Sequence, residues 1–414
     1  MQKFYVLIIS ILLLYSPCTT KAKEKKQAEV IHWWVSGGEA AALQVAVDEF
    51  QRLGNVWIDT PVKNSYHAKT AAISRLLSGN PPTVVQWHVG VRIKDLYQEK
   101  LLHDVNQLAS AEGWQKVLPK VIWDYIVVDG QVVVVPVTLH GSNWIWANPK
   151  VLKAAGVGMP NSWQEFIKAA SAIQKAGYTP LALGGQPWQI NLLFLNVALS
   201  VGGADFYRAA LVNRDLNALG GPKMVKTFEA FSQLRTFVDS KNPGRGWSET
   251  TNLVIQGKAA FQTMGDWAKG EFIQAGMTAG KDFQCALFPG TANNYIVVSD
   301  AFAMVAVKDK KAIEAQQELA RILMDPKVQR RFNLLKGSIP PRTDVSMDGF
   351  DQCARLAMQQ TRKPDSVIPG INMAYPEIIA SAILDTVSSF WNTPTASSSE
   401  AAKSLAQAVQ EASF

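Results

Sequence analysis

Three short apolar runs, residues 30–35, 56–62 and 83–87, alternate with two stretches of helical spacing, residues 40–53 and 66–77. The second helical stretch stops at Ser78-Gly79-Asn80-Pro81-Pro82, a strong turn signal. This strand–helix–strand–helix–strand order restricts the chain to an α/β class with a mostly parallel sheet, because parallel neighbours need a crossover. Ligands bind such sheets at the carboxyl ends of the strands. By that rule Trp33-Trp34, Trp87-His88 and residues 64–67 all belong to the ligand-facing edge.

The first of these strands ends in Ile31-His32-Trp33-Trp34-Val35-Ser36-Gly37-Gly38-Glu39. Two indoles at a strand end beside one carboxylate suit a sugar, which offers an apolar C–H face and a rim of hydroxyls. Adjacent strand residues point to opposite faces, so both indoles face one ligand only if the strand has already ended. Glu39 by itself also reads as a helix N-terminal charge complementing the macrodipole.

The beginning of the chain reads as a signal peptide over residues 1–22. Lys3 supplies a charge, residues 6–14 are apolar apart from Ser10, and Thr20-Lys21-Ala22 is a small-residue cleavage site. The apolar run is too short to span a bilayer, so removal on secretion is the expectation. Pro17 and Tyr15 fit lipid anchoring at Cys18 badly. With 414 residues, 48% of them hydrophobic, the chain is large enough for two cored domains. The net charge of +7 falls by two when Lys3 and Lys21 leave with the leader. Away from the lysines at 23–26 no basic run is interleaved with aromatics, so nucleic acid is not an expected partner. Cys285 and Cys353 belong to no CxxC or Cys/His cluster; in an oxidising compartment a structural disulfide is the simplest reading, with no metal and no cofactor.

Further along, residues 132–137 and 143–147 read as strands flanking a crossover at Thr138-Leu139-His140-Gly141. Helical patterns follow at 162–175, 191–201 and 223–239, the first opened by a capping box of Ser162 with Glu165. Residues 295–307 read as one or two strands, and 312–324, 377–390 and 397–412 as helices. Trp144 and Trp146, at strand spacing, read as core, and His32, His103 and His140 as structural or solvated.

Several segments carry a resemblance. They include residues 32–39, Ser78-Gly79-Asn80-Pro81-Pro82, Val135-Pro136-Val137 and Asn143-Trp144-Ile145-Trp146. Gly184-Gly185-Gln186-Pro187-Trp188-Gln189, Met264-Gly265-Asp266-Trp267-Ala268-Lys269, Phe288-Pro289-Gly290-Thr291 and Lys336-Gly337-Ser338-Ile339-Pro340 continue it in order. With these the chain resembles the periplasmic glucose/mannose-binding proteins of ABC importers, within the extracellular solute-binding proteins of family 1. The resemblance implies two discontinuous lobes joined by hinge strands, residues 29–136 with 293–342 and residues 137–292 with 343–414. It implies a mono- or oligosaccharide in the cleft between them, an inner-membrane ABC permease as partner, a monomer, and a Cys285–Cys353 disulfide. Residue by residue, Trp33, Trp34, Glu39, Trp188, Trp267, Asp300 and Lys336 match its binding positions, and Trp247 an aromatic position near the cleft.

The departures bear on specificity. His88 stands where these relatives have a lysine, Gly141 where they have an arginine, Val298 for an asparagine and Tyr375 for a cleft histidine. Unpaired hydroxyls in a desolvated site cost on the order of 1–3 kcal/mol each. The expectation is therefore that glucose binds poorly and that Gly141 opens space for another saccharide. An enzyme would instead need two carboxylates flanking a glycosidic bond. Glu39, Asp266 and Asp300 supply the residue types without any spacing that demands it. A ligand-sensing partner of a membrane receptor is the remaining alternative.

Overall fold

The structure is a computed structural model and describes residues 25–363 and 365–413. The expected leader, residues 1–22, lies outside the described residues.

A five-stranded sheet has the order Val56–Pro61, Gln27–His32, Val84–His88, Asp300–Met304, Val134–Pro136. The first three strands are parallel to one another; Asp300–Met304 runs antiparallel to both neighbours. Helices Gly37–Arg52 and Ser65–Leu77 make the crossovers. Ser36 opens the first of them: its hydroxyl accepts from Glu39 N–H, and the Glu39 carboxylate accepts from Ser36 N–H in return.

A second sheet has the order Gln284–Leu287, Trp144–Ala147, Ala259–Thr263, Thr179–Ala182. Trp144–Ala147 is buried on both faces. Trp144 and Trp146 stack at 5.5 Å on one side, while Ile145 and Ala147 join a separate core on the other. That second core holds helices Pro187–Gly202, Pro222–Gln233, Glu377–Asn392 and Ser398–Glu411.

Between the two sheets lies a small one, with Tyr295–Val298 central, His140–Gly141 antiparallel on one side and Val367–Pro369 parallel on the other. Here the chain crosses from one lobe to the other, giving a two-lobed α/β molecule with hinge strands. The 132–137 run is split: Gln131–Val132 forms a hairpin with Val127–Val128, and only Val134–Pro136 enters the large sheet. Ser162 does accept from Glu165 N–H, but the Glu165 carboxylate takes the N–H of Asn161 instead of completing the box.

Candidate functional site

The lobes meet where the large sheet ends. The ladder of Gln27–His32 stops one residue before Trp33, whose backbone N–H donates to Gln86 Oε1 at 3.0 Å. Trp33 is half-buried, with its ring 5.0 Å from the His88 ring. Trp34 turns the other way. It is 1% exposed, packed against Phe302 and Phe332, with the Lys336 ammonium 5.6 Å above its ring. The expectation that both indoles stack on one ligand is corrected: although the strand ends before Trp33, the Trp34 ring is enclosed by Phe302 and Phe332.

Asp300 begins its strand directly opposite His88 in the ladder. Its carboxylate lies 3.6 Å from His88 Nε2 on one side and 3.5 Å from His140 Nε2 on the other. His140 Nδ1 meets the Asp266 carboxylate, which also accepts from Gly141 N–H at 2.9 Å and from the Tyr295 hydroxyl at 3.4 Å. Trp267 sets its ring edge-on to His140 at 5.4 Å, and Trp188 lies 6.3 Å from Trp267. Contacts thus run unbroken from Trp33 of one lobe through His88, Asp300 and His140 to Trp267 and Trp188 of the other. Trp188 sits in the first turn of helix Pro187–Gly202, and half-buried Trp247 opens helix Trp247–Ile255.

Glu39 and Lys336 form a buried pair at 3.4 Å. The other Glu39 oxygen accepts from Val35 N–H and Ser36 N–H, so the residue caps its helix as well as facing Lys336. Lys336 ends helix Pro326–Lys336, and Gly337 follows with φ +89. A side chain at Gly337 would also meet the Asp266 carbonyl at 2.5 Å, so only glycine closes this helix against the site.

Burial alone would raise the Asp300 carboxyl, but His140 beside it holds it below the usual carboxylate range. Burial alone would lower His140, yet Asp266 and Asp300 on its two nitrogens raise it. His88 goes the opposite way: burial and then the Lys69 ammonium push it down to about 3, leaving a neutral ring. Burial lowers Lys69 to about 8, opposed by Glu377.

Two departures look different in three dimensions. A Cβ at Gly141 would stand 2.2 Å from the Tyr295 ring, so the place of a longer side chain is filled, not opened. Tyr375 is 2% exposed in the second core, with the Arg214 guanidinium 6.0 Å from the centre of its ring. It lies in the interior because the Ile371–Ala374 turn carries it onto that helical layer.

The sequence reading missed residues that the site uses. Of the two readings of His140, structural or solvated, its burial and its pairing with Asp266 and Asp300 agree with the structural one, and they set it and Asp266 in the middle of the contact path. Gln86 is fully buried, and its Nε2 finds no hydrogen-bond partner among the described residues. Lys69 donates toward His88 Nδ1 at 3.0 Å. One signal was available: Lys69 shares the buried stripe of its helix with Ala68 and Ala72, where a charge needs a partner. Among the described residues no group of three or more His, Cys, Asp or Glu is arranged to hold a metal.

Similarity to known proteins agrees with this architecture. The model of the bacterial extracellular solute-binding proteins matches residues 35–330. A probable sugar-binding periplasmic protein of Brucella suis is 40% identical over 398 residues, covering 94% of each chain. One of Rhizobium meliloti is 39% identical over 401 residues, 95% of this chain and 96% of that one. Among solved structures, a chitin oligosaccharide binding protein superposes with a TM-score of 0.81 at 15% identity, over 93% of this chain and 98% of that one. A bacterial solute receptor with exclusive preference for β-D-galactopyranose gives 0.80 at 17%, over the same shares. At such identities the solved structures speak for the fold alone, whereas the family match and the closer relatives settle kinship: the chain belongs to the bacterial extracellular solute-binding protein family.

Proposed function

We propose that this protein is the periplasmic carbohydrate-binding subunit of an ABC importer, which captures an uncharged sugar between its lobes and presents it to a membrane permease. The observation that carries the reading is the aromatic and polar path across the cleft, Trp33–His88–Asp300–His140–Trp267–Trp188. Indole faces cover the apolar side of a pyranose, and Asp300 accepts from its hydroxyls. A charge-assisted bond of this kind contributes about 1.5–3 kcal/mol.

The charges support an uncharged ligand. Lys336 faces Glu39, His140 faces Asp266 and Asp300, and Lys69 and Arg92 face Glu377. A ligand with net charge would leave one partner uncompensated in a desolvated cleft. The same pairing leaves Glu39 and Asp266 occupied, which favours a carrier over a hydrolase. The Gly141 departure no longer opens space for a larger sugar, and Lys69 restores an ammonium beside His88. His88 itself and Val298 keep the specificity open to a sugar other than glucose.

We assign residues 29–136 with 293–342 to one lobe and 137–292 with 343–414 to the other, a division that the five-stranded and four-stranded sheets support and that cuts through the small three-stranded sheet between them. The protein acts as a monomer after cleavage of its leader. Its partners are the sugar and the permease, and it needs no cofactor.

A thermal-shift screen of the mature protein tests the proposal, using D-glucose, D-mannose, D-galactose, D-xylose, maltose and cellobiose. A ligand at a hundred times its Kd stabilises the folded state by about 2.7 kcal/mol. At least one sugar should raise Tm and be recovered unchanged. No shift with any saccharide, or cleavage of the disaccharides, would overturn the reading.

A further inference from the structure

Lys69 does not belong to any motif, yet it occupies an unusual place. It projects from helix Ser65–Leu77 and is 8% exposed. Its ammonium is 3.0 Å from His88 Nδ1, 3.9 Å from the Glu377 carboxylate and 5.9 Å from the centre of the Trp33 ring. His88 in turn aims Nε2 at Asp300 from 3.6 Å. An ammonium has only donors and no acceptor. In this geometry the Nδ1 atom of His88 must be the acceptor, and the ring proton must sit on Nε2.

We propose that Lys69 is a positioning residue for ligand recognition: by donating to His88 Nδ1 it locks His88 as the Nε2–H tautomer, which directs an N–H at one oxygen of Asp300. The proposal rests on the reading of the cleft as a sugar site. Its physical consequence is a fixed acceptor pattern. Asp300 Oδ1 faces His88 and Oδ2 faces His140, and the lone pairs that remain are left for ligand hydroxyls. Without Lys69, Nδ1 could carry the proton instead. The Nε2 lone pair would then face a carboxylate and repel it, or the ring would take up a second proton and become cationic.

The charged groups around the imidazole decide which of these follows. Lys69 and Arg92, from two different helices, disfavour the imidazolium, as does His140 from the hinge strand; Asp300 from the adjacent strand favours it. Glu377, on the helix of the opposite lobe, faces Lys69 and Arg92. Removing Lys69 deletes the largest charge that opposes protonation and leaves Asp300 in place. His88 should then titrate higher than in the native chain, where burial and then Lys69 hold it to about 3, while burial, the larger cause, still keeps it low.

Nitrogen-15 NMR of histidine-labelled protein tests this without any ligand, with His88→Gln identifying the resonance among five histidines. The native protein should show the neutral Nε2–H form down to about pH 5, and Lys69→Met should show either the Nδ1–H form or protonation beginning at a higher pH than in the native chain. Lys69→Arg, which keeps a donor, should restore the native pattern. Calorimetry against the six sugars named above gives the second readout. Lys69→Met should bind whichever of them the native protein binds about tenfold more weakly, and Lys69→Arg within about threefold. An Nδ1–H tautomer in the native protein overturns the proposal, as does an unchanged Nε2–H tautomer with an unchanged titration in Lys69→Met, or unchanged sugar affinity in that variant. If the native protein binds no sugar, the carbohydrate reading fails, and the tautomer experiment still decides what Lys69 does to His88.

Discussion

Trp33 and Trp34 are neighbours in the chain and should respond to truncation in opposite ways. Trp34 is enclosed by Phe302 and Phe332, so Trp34→Ala leaves a cavity and should cost about 3–5 kcal/mol in urea unfolding. Trp33 is only half-buried beside His88, so Trp33→Ala should keep most of the stability while weakening sugar binding and reducing its fluorescence change. Equal stability losses in the two variants would place both rings in the core. The sequence announces that an indole stands at the strand end; it does not announce which, because one residue of phase exchanges the faces. Lys69 shows the complementary limit. Its partners His88 and Glu377 are remote in sequence, and only the fold brings them together. Its titration gives a second test. The folded value is about 8, against about 10.4 in an unfolded chain. Between those values the unfolded state holds more protons, so stability gains a contribution that rises with pH. Denaturant melts should show a more positive stability slope for the native chain than for Lys69→Met across that window; parallel slopes would mean that Lys69 is not desolvated.

Among the elements, the crossovers of the large sheet were legible because turn residues and apolar periodicity agree there. The strands of the second sheet were harder to read. Thr179–Ala182 carries Pro180 and Ala182, and neither favours a strand; it survives as an edge strand, where a missing N–H is tolerated. Ala259–Thr263 is buried at every position, so no alternation marks it. The disulfide acts at this scale. It joins Cys285, on the other edge strand of that sheet, to Cys353 in helix Gln352–Thr361, across a separation of 68 residues. That helix follows the return of the chain from the large sheet, so the bond ties a late segment to a lobe begun far earlier. Replacing both cysteines by alanine should lower stability by about 2–4 kcal/mol, read as a drop in the urea midpoint, with sugar affinity nearly kept because neither sulfur touches the cleft residues. A midpoint matching the native one would show that packing alone holds the helix.

At the scale of the whole molecule, the contact between lobes is a glycine seam as well as a set of ion pairs. Helix Ala268–Gln274 packs on its own lobe through Phe272, which lies 4.5 Å from Phe283 and 6.0 Å from Trp146. Toward the other lobe it presents Gly270. Gly38 there donates its N–H to Glu271 at 2.9 Å, and a Cβ at Gly38 would stand 2.7 Å from the Gly270 carbonyl carbon. Backbones approach this closely only where both residues lack side chains. Gly38 lies within a helix, where leucine has a higher intrinsic propensity than glycine by nearly 1 kcal/mol. Local preference and the lobe contact therefore pull Gly38→Leu in opposite directions. The lobe should remain folded, with an unfolding midpoint at or above the native one. The closed form should become sterically disfavoured, and apparent affinity should fall in proportion to the lost fraction of closed molecules. Small-angle scattering should show a native radius of gyration that contracts with bound sugar and a variant that stays expanded. Equal contraction and equal affinity in the two proteins would show that the lobes close around the ligand without this seam.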